Sequence, residues 1–138
     1  MNEQTNLDVV RKGYEAFGRG DIPGLVRLLH DEVSWTTPGP PELPTAGNRT
    51  GHGGVQEFFG SLTAVVEILR FEPKEFIAQG NFVIVIGDDT ARVRATGKSV
   101  EFRWVHIFEL RDGKVARFEE RGDVSALVAE LKTVQARA

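Results

Sequence analysis

Two residues near the end of the 138-residue chain have the types and spacing for proton transfer: His106 and Glu120, on either side of Arg111-Asp112-Gly113-Lys114. A carboxylate and an imidazole held together among apolar neighbours form a general acid–base pair, because lost hydration moves a carboxyl pKa toward the range useful at neutral pH. Whether these two meet depends on one hairpin turn. A two-residue Asp-Gly turn pairs Arg111 with Lys114, whereas a three-residue turn with Gly113 as a bulge pairs Leu110 with Lys114. The two registers differ by one residue, which turns one strand over. In the first, Trp104 and His106 share a face with Arg117, Glu119 and Arg121, and both faces are mixed. In the second, Phe102, Trp104, His106, Phe108 and Leu110 join Ala116, Phe118 and Glu120. The other face then collects Glu101, Arg103, Glu109, Arg117, Glu119 and Arg121, with only Val105, Ile107 and Val115 apolar. A sheet with one buried face requires that segregation, so the second register is the expectation. It sets Glu120 opposite Trp104 and diagonal to His106. The pair then acts as base and partner, or the two groups hydrogen-bond each other without function, or Glu120 reaches solvent at a sheet edge.

Other side chains could complete a site around this pair. Trp35, Trp104, Phe108 and Phe118 could wall a ligand pocket or form plain core. Tyr14 could point its hydroxyl into the same space or pack in a helix face. His52, among the glycines of Gly51-His52-Gly53-Gly54, could reach a ligand or stand in solvent. Asp123 reads as a helix N-cap rather than a catalytic acid. His30 reads as the end of a helix, where an imidazolium is favoured by the dipole. Three histidines at 30, 52 and 106, no cysteine and no clustered carboxylates give no metal-ligand spacing, so no metal is expected. The glycines near His52 lack the Lys-Ser/Thr ending of a phosphate loop, and no organic cofactor is expected.

The elements that must position these groups can be read from periodicity. Leu7, Val10, Tyr14 and Phe17 recur at helical spacing, predicting a helix over 5–19, and Asp21 caps a second, shorter one ending near His30. Val33–Thr37 reads as a short strand stopped by Pro38-Gly39-Pro40-Pro41. The stretch 38–54 reads as a long loop, a lid or simply mobile. Val55, Phe58, Phe59 and Leu62 mark a third helix over 54–66. Four strands follow, over 71–78, 81–95, 99–110 and 114–122, with Gly87-Asp88-Asp89 as a bulge or a separate turn in the second. Val124, Leu127, Val128 and Leu131 describe a terminal helix. Helices followed by hairpins indicate an α+β fold, with the whole of 1–138 as one domain.

Composition narrows the function. Seventeen Lys and Arg against twenty Asp and Glu, without long runs, offer no footprint for nucleic acid or an anionic membrane. The absence of cysteine excludes disulfides and thiolate chemistry. A polar N-terminus and the lack of an ~18-residue apolar run lead to the expectation of a cytoplasmic protein.

The order of three helices, a proline-rich loop and a long meander resembles the NTF2-like superfamily, in particular its SnoaL-like and ketosteroid-isomerase-related members. The local markers are Gly20-Asp21, Gly51-His52-Gly53-Gly54-Val55, Trp104-Val105-His106-Ile107-Phe108 and Gly113-Lys114-Val115. The resemblance implies a cystatin-like cone of curved antiparallel sheet wrapped on three N-terminal helices, with a short C-terminal helix. It also implies a deep apolar pocket and a homodimer through the outer sheet face. In ketosteroid isomerases the proton-shuttling aspartate precedes a proline at the end of the first strand, where this chain has Thr37 before Pro38. Their oxyanion tyrosine aligns with Gly13, one residue from Tyr14. In SnoaL-like polyketide cyclases the acid-base carboxylate lies seven residues past the hairpin glycine, which is Glu120 here. The resemblance therefore implies a small, largely apolar, carbonyl-bearing ligand. Glu120 would act as base, with His106 polarising the oxygen or positioning Glu120, in an aldol cyclisation or isomerisation. The alternative is a non-catalytic ligand-binding or dimerisation module, because one fold serves many roles.

Overall fold

The computed structural model describes residues 2–137. Helix α1 (Glu3–Gly18) begins where the Asn2 side chain accepts a hydrogen bond from Thr5 N–H, which satisfies one of the free donors of the first turn. Helix α2 (Ile22–Val26) is capped by Asp21, which accepts from Gly24 N–H at 2.9 Å, with Pro23 in the first turn. That hydrogen bond holds the Asp21 carboxyl below its ordinary pKa. This helix is shorter than its leucine spacing predicts, because Leu29 already pairs in strand β1 (Leu29–Thr37). His30 is therefore a strand residue, and its Nε2 lies 2.6 Å from the carbonyl oxygen of Arg111.

The expected long loop is partly structured. Strand β2 (Gly47–Thr50) pairs antiparallel with β1, and helix α3 (Gly51–Val65) starts three residues before the expected boundary. Between Pro38 and Ala46 the chain buries Leu43 and Thr45 and is held by Arg49, whose guanidinium donates to the carbonyls of Pro44, Thr45 and Ala46. Thr37 Oγ1 also donates to the Thr45 carbonyl. Three charge-assisted bonds from one side chain tie this segment to the sheet edge.

The rest of the sheet is a meander of β3 (Val66–Gln79), β4 (Phe82–Val93), β5 (Ser99–Arg111) and β6 (Lys114–Gly122), followed by helix α4 (Ser125–Arg137). The six-stranded order is β2-β1-β6-β5-β4-β3, antiparallel except where β1 runs parallel to β6. Strand β4 continues through Gly87-Asp88-Asp89, with an unbroken ladder to β5 from Phe82↔Glu109 to Arg92↔Ser99. The irregularities lie in β3 instead, at Leu69 and next to Pro73, which has no N–H to give the ladder. The core is the inner face of this curved sheet closed by α1, α2 and α3, with Val33, Val55, Val83 and Val85 fully buried.

The hairpin combines features of both expected registers. Asp112 and Gly113 have φ of 53° and 78°, so the turn is the two-residue kind and pairs Arg111 with Lys114. One extra residue, Ala116, then bulges between Leu110↔Val115 and Glu109↔Arg117 and restores the parity that keeps apolar side chains inside. Two details of the expectation change. Val115 turns inward opposite Leu110, and Glu120 lies directly opposite His106, not Trp104. Opposite Trp104 stands Gly122, and on its other side Gly87. A Cβ at Gly87 would come within 2.5 Å of the indole, and one at Gly122 within 2.6 Å of Phe102, so both positions exclude a side chain. Trp104 fills the gap between two bare backbones and is 1% exposed.

The outer face keeps Ile77, Phe82 and Ile86 exposed among charged rows. No helix among the described residues is long and apolar enough to cross a membrane.

Candidate functional site

Inside the cone lies a cavity of about 150 Å³. Of the eight residues singled out above, Tyr14, Trp35, His106, Phe108, Phe118 and Glu120 line it. His52 does not. Because α3 begins at Gly51, His52 sits in its first turn and directs Nε2 to the Leu29 carbonyl at 3.0 Å, with Asp31 at 3.8 Å. Trp104 is also absent from the lining. Its ring stacks on His106 with centroids 3.8 Å apart and on Phe71 at 5.1 Å, so it supports the imidazole from the side.

A hydrogen-bonded chain crosses the cavity wall from helix to last strand. Tyr14 on α1 places its hydroxyl 2.8 Å from His106 Nδ1, and His106 Nε2 lies 2.8 Å from Glu120 Oε2. One proton assignment satisfies every group with a neutral imidazole: Tyr14 O–H donates to Nδ1, and Nε2–H donates to the carboxylate. Both ring nitrogens are then occupied, so His106 has no free donor for a ligand oxygen and is placed to orient Glu120. Glu120 keeps a second oxygen for other work. Burial, and next the negative charge of Glu120, hold the Tyr14 phenol above its ordinary pKa, so it remains a donor. Aromatic rings surround this chain, with Phe108 and Phe76 edge-on to Tyr14 and Phe118 edge-on to His106. Trp35 on β1 stacks on Phe118 at 4.0 Å, and its indole N–H finds no acceptor among the described residues.

The sequence reading missed Asp89. It is 8% exposed, lines the cavity from β4 and makes no side-chain hydrogen bond among the described residues. Burial, reinforced by the charge of Glu120, pushes its carboxyl up to about 7. The Trp104 indole N–H is near enough to favour the carboxylate form, yet forms no hydrogen bond of ordinary geometry. The signal was present: Val83, Val85, Gly87, Asp89, Ala91 and Val93 alternate with period two, but Gly87-Asp88-Asp89 reads equally as a bulge or a separate turn, which leaves the face of Asp89 open. Asp123 Oδ1 accepts from Ser125 N–H at 2.9 Å at the start of α4, as a capping residue does, and lies below its ordinary pKa for that reason. Among the described residues no cluster of three His, Asp or Glu side chains has metal-binding geometry.

The comparisons with known proteins return chains of the same NTF2-like fold. The model of the SnoaL-like domain matches residues 10–118, and the chain belongs to that family. An NTF2-like protein of Burkholderia xenovorans is 36% identical with a TM-score of 0.84, over 94% of this chain and 97% of its own. TerC, crystallised with polyporic acid, is 31% identical with a TM-score of 0.82, over 91% of this chain and 96% of its own. An uncharacterized protein of Mycobacterium tuberculosis is 26% identical over 120 residues, which is 87% of this chain and 90% of that relative.

Proposed function

We propose that this protein binds a small, largely apolar molecule bearing a carbonyl group inside the cone and moves a proton next to that carbonyl, with Glu120 as the base. The observation that carries the reading is the chain Tyr14–His106–Glu120, whose last member faces the cavity with one carboxylate oxygen held by His106 and the other free. Glu120 takes a proton from the carbon next to the carbonyl. The C–H electron pair becomes the enol double bond, and the carbonyl π pair moves onto oxygen. Reprotonation at another carbon completes an isomerisation, and attack of the enol carbon on a second carbonyl completes an aldol cyclisation. His106 is the positioning residue, and no cofactor takes part.

Two further features support a ligand of this kind. The walls are aromatic, which suits a flat apolar body. The Trp35 N–H, buried without an acceptor, suits a ligand oxygen, since a buried donor left unpaired costs about 1–3 kcal/mol. TerC suggests polyporic acid as a first binding probe.

The test is exchange of the methyl protons of enolisable ketones such as acetophenone into D2O, followed by NMR. Glu120→Gln keeps the shape and removes the base, so exchange should fall by about 10²–10⁴-fold while binding persists. Binding with no exchange above the uncatalysed rate in the wild type would leave the second reading, a ligand-binding module. That reading is favoured by the fully satisfied hydrogen bonds of the chain, which also describe a structural network. A homodimer belongs to the same proposal, with Ile77, Phe82 and Ile86 of the outer face against a second copy. Sedimentation should give a dimer that Ile86→Asp converts to monomer, and a monomeric wild type refutes it.

A further inference from the structure

The cavity holds a second buried carboxyl that the mechanism above does not use. Asp89 projects from β4 and Glu120 from β6, with β5 between them, so the two acids face the same space from two sides. The strand register fixes this placement: Asp89 pairs with Phe102, and Glu120 with His106 four residues further along β5. The two differ in their partners. Glu120 is anchored by His106, whereas Asp89 has no side-chain hydrogen bond among the described residues and is ringed by Phe71, Phe102 and Trp104.

We infer that Asp89, in its protonated form, donates its proton to the carbonyl oxygen of the ligand, while Glu120 on the other side works as the base. The inference rests on the proton-transfer reading and completes it. As Glu120 takes the carbon-bound proton, the oxygen gaining the π pair takes the Asp89 proton, which leaves a neutral enol, a protonated Glu120 and an ionised Asp89. The return step restores both.

The groups around Asp89 agree with a neutral acid. Arg70 on β3 is the nearby cation, but its guanidinium is engaged by Asp88 at 2.5 Å, Glu72 at 3.2 Å and Thr90 at 3.2 Å, so its charge is largely spent elsewhere. Glu120 on β6 opposes a further negative charge at Asp89 and Asp88 on β4 adds to it, while Glu101 on β5 and Asp123 before α4 are exposed residues of the cavity lining. Tyr14 from α1 and His106 on β5 satisfy each other, and the Trp104 indole N–H, though near Asp89, makes no hydrogen bond of ordinary geometry with it. Two like charges facing one poorly hydrated space separate in proton affinity, and the member without hydrogen bonds keeps the proton.

The experiment uses carboxyl ¹³C NMR of the labelled protein together with acetophenone affinity measured across pH. The expected result is an Asp89 titration near neutrality that Glu120→Gln moves downward, because the opposing charge is gone. Acetophenone affinity should fall about fivefold to tenfold from about pH 6 to about pH 8.5 as the donor is lost, and stay flat in Asp89→Asn, whose amide still donates. Titration of Asp89 in the ordinary carboxylate range overturns the inference. So does an acetophenone affinity that is independent of pH in the wild type, and that result leaves the role of Glu120 standing. If acetophenone does not bind at all, the carbonyl reading and the Asp89 inference fall together.

Discussion

Glu119 and Glu120 are neighbours in sequence and lie on opposite faces of β6, where the same side-chain chemistry has different value. Glu119 sits in an outer ladder in which Arg117 reaches it at 3.1 Å and Arg121 at 2.5 Å, while Arg117 also bridges to Glu109 at 3.1 Å. These arginines are well exposed, and water and salt screen such pairs until each is worth well under 1 kcal/mol. Glu120 makes one contact, with a His106 that is 4% exposed and boxed in by aromatic rings. The outer charges form exposed ladders, whereas the inner contact with His106 holds one carboxylate at a fixed place on the cavity wall. Location, not residue type, separates solvation from chemistry.

The widest separation should come from paired amide substitutions. Glu120→Gln should cost the proton exchange about 10²–10⁴-fold, while Glu119→Gln one residue away should change it less than about twofold, both read by the D2O exchange assay. If the two variants behave alike, the distinction between faces fails.

A second effect concerns the support under His106. Gly87→Ala pushes a methyl group into the Trp104 indole and the Glu72 carbonyl, so denaturant unfolding should show a loss of about 2–4 kcal/mol. Exchange should fall with it, because the stacked imidazole loses its floor. The same substitution at Gly60, where a Cβ meets nothing within 4 Å, is the control and should be neutral or slightly stabilising.

Next comes the pH dependence of stability. The folded-state pKa of Asp89, at about 7, lies above its ordinary value of 3.8, so between these the native state holds a proton that the unfolded chain has released. Stability due to this residue is therefore full below about pH 4 and declines as pH rises to about 7. Asp89→Asn removes the decline. Relative to the wild type it should gain about 1–3 kcal/mol at pH 8 and nothing at pH 4, by thermal unfolding at both. The smallest expected effect is Arg117→Ala, about 0.5 kcal/mol or less, fading in high salt.

Much of the fold was legible because it rests on periodicity. The helical spacing of Leu7, Val10, Tyr14 and Phe17 and the alternation through β5 are repeated signals that one residue cannot erase. The boundaries that failed depend on single pairings over long sequence distances. The Leu29↔Val115 contact ends α2 early, and the pairing of Thr37 through Ser34 with β2 converts loop into strand. The two faces of β6 were assigned by the right argument and the wrong turn, since the segregation of polar and apolar side chains constrains parity but not how the chain achieves it. Asp89 stayed hidden because a glycine in a strand looks like an interruption until its partner is known. That partner is Trp104, seventeen residues further along the chain, a separation no local pattern bridges.

The bulged residue Ala116 gives β6 a property unlike that of most surface strands. Between the turn and the inner carboxylate it is the extra residue, and shortening the strand there by one would bring Arg117, Glu119 and Arg121 to the interior and send Phe118 and Glu120 outward. Substitutions along this strand can drift one at a time, and most will be tolerated by one face or the other. A change in length cannot drift, because it exchanges inside for outside in a single event. Descendants of this sequence are therefore free to vary what the outer face displays, provided that the count of residues from Gly113 to Glu120 is inherited unchanged.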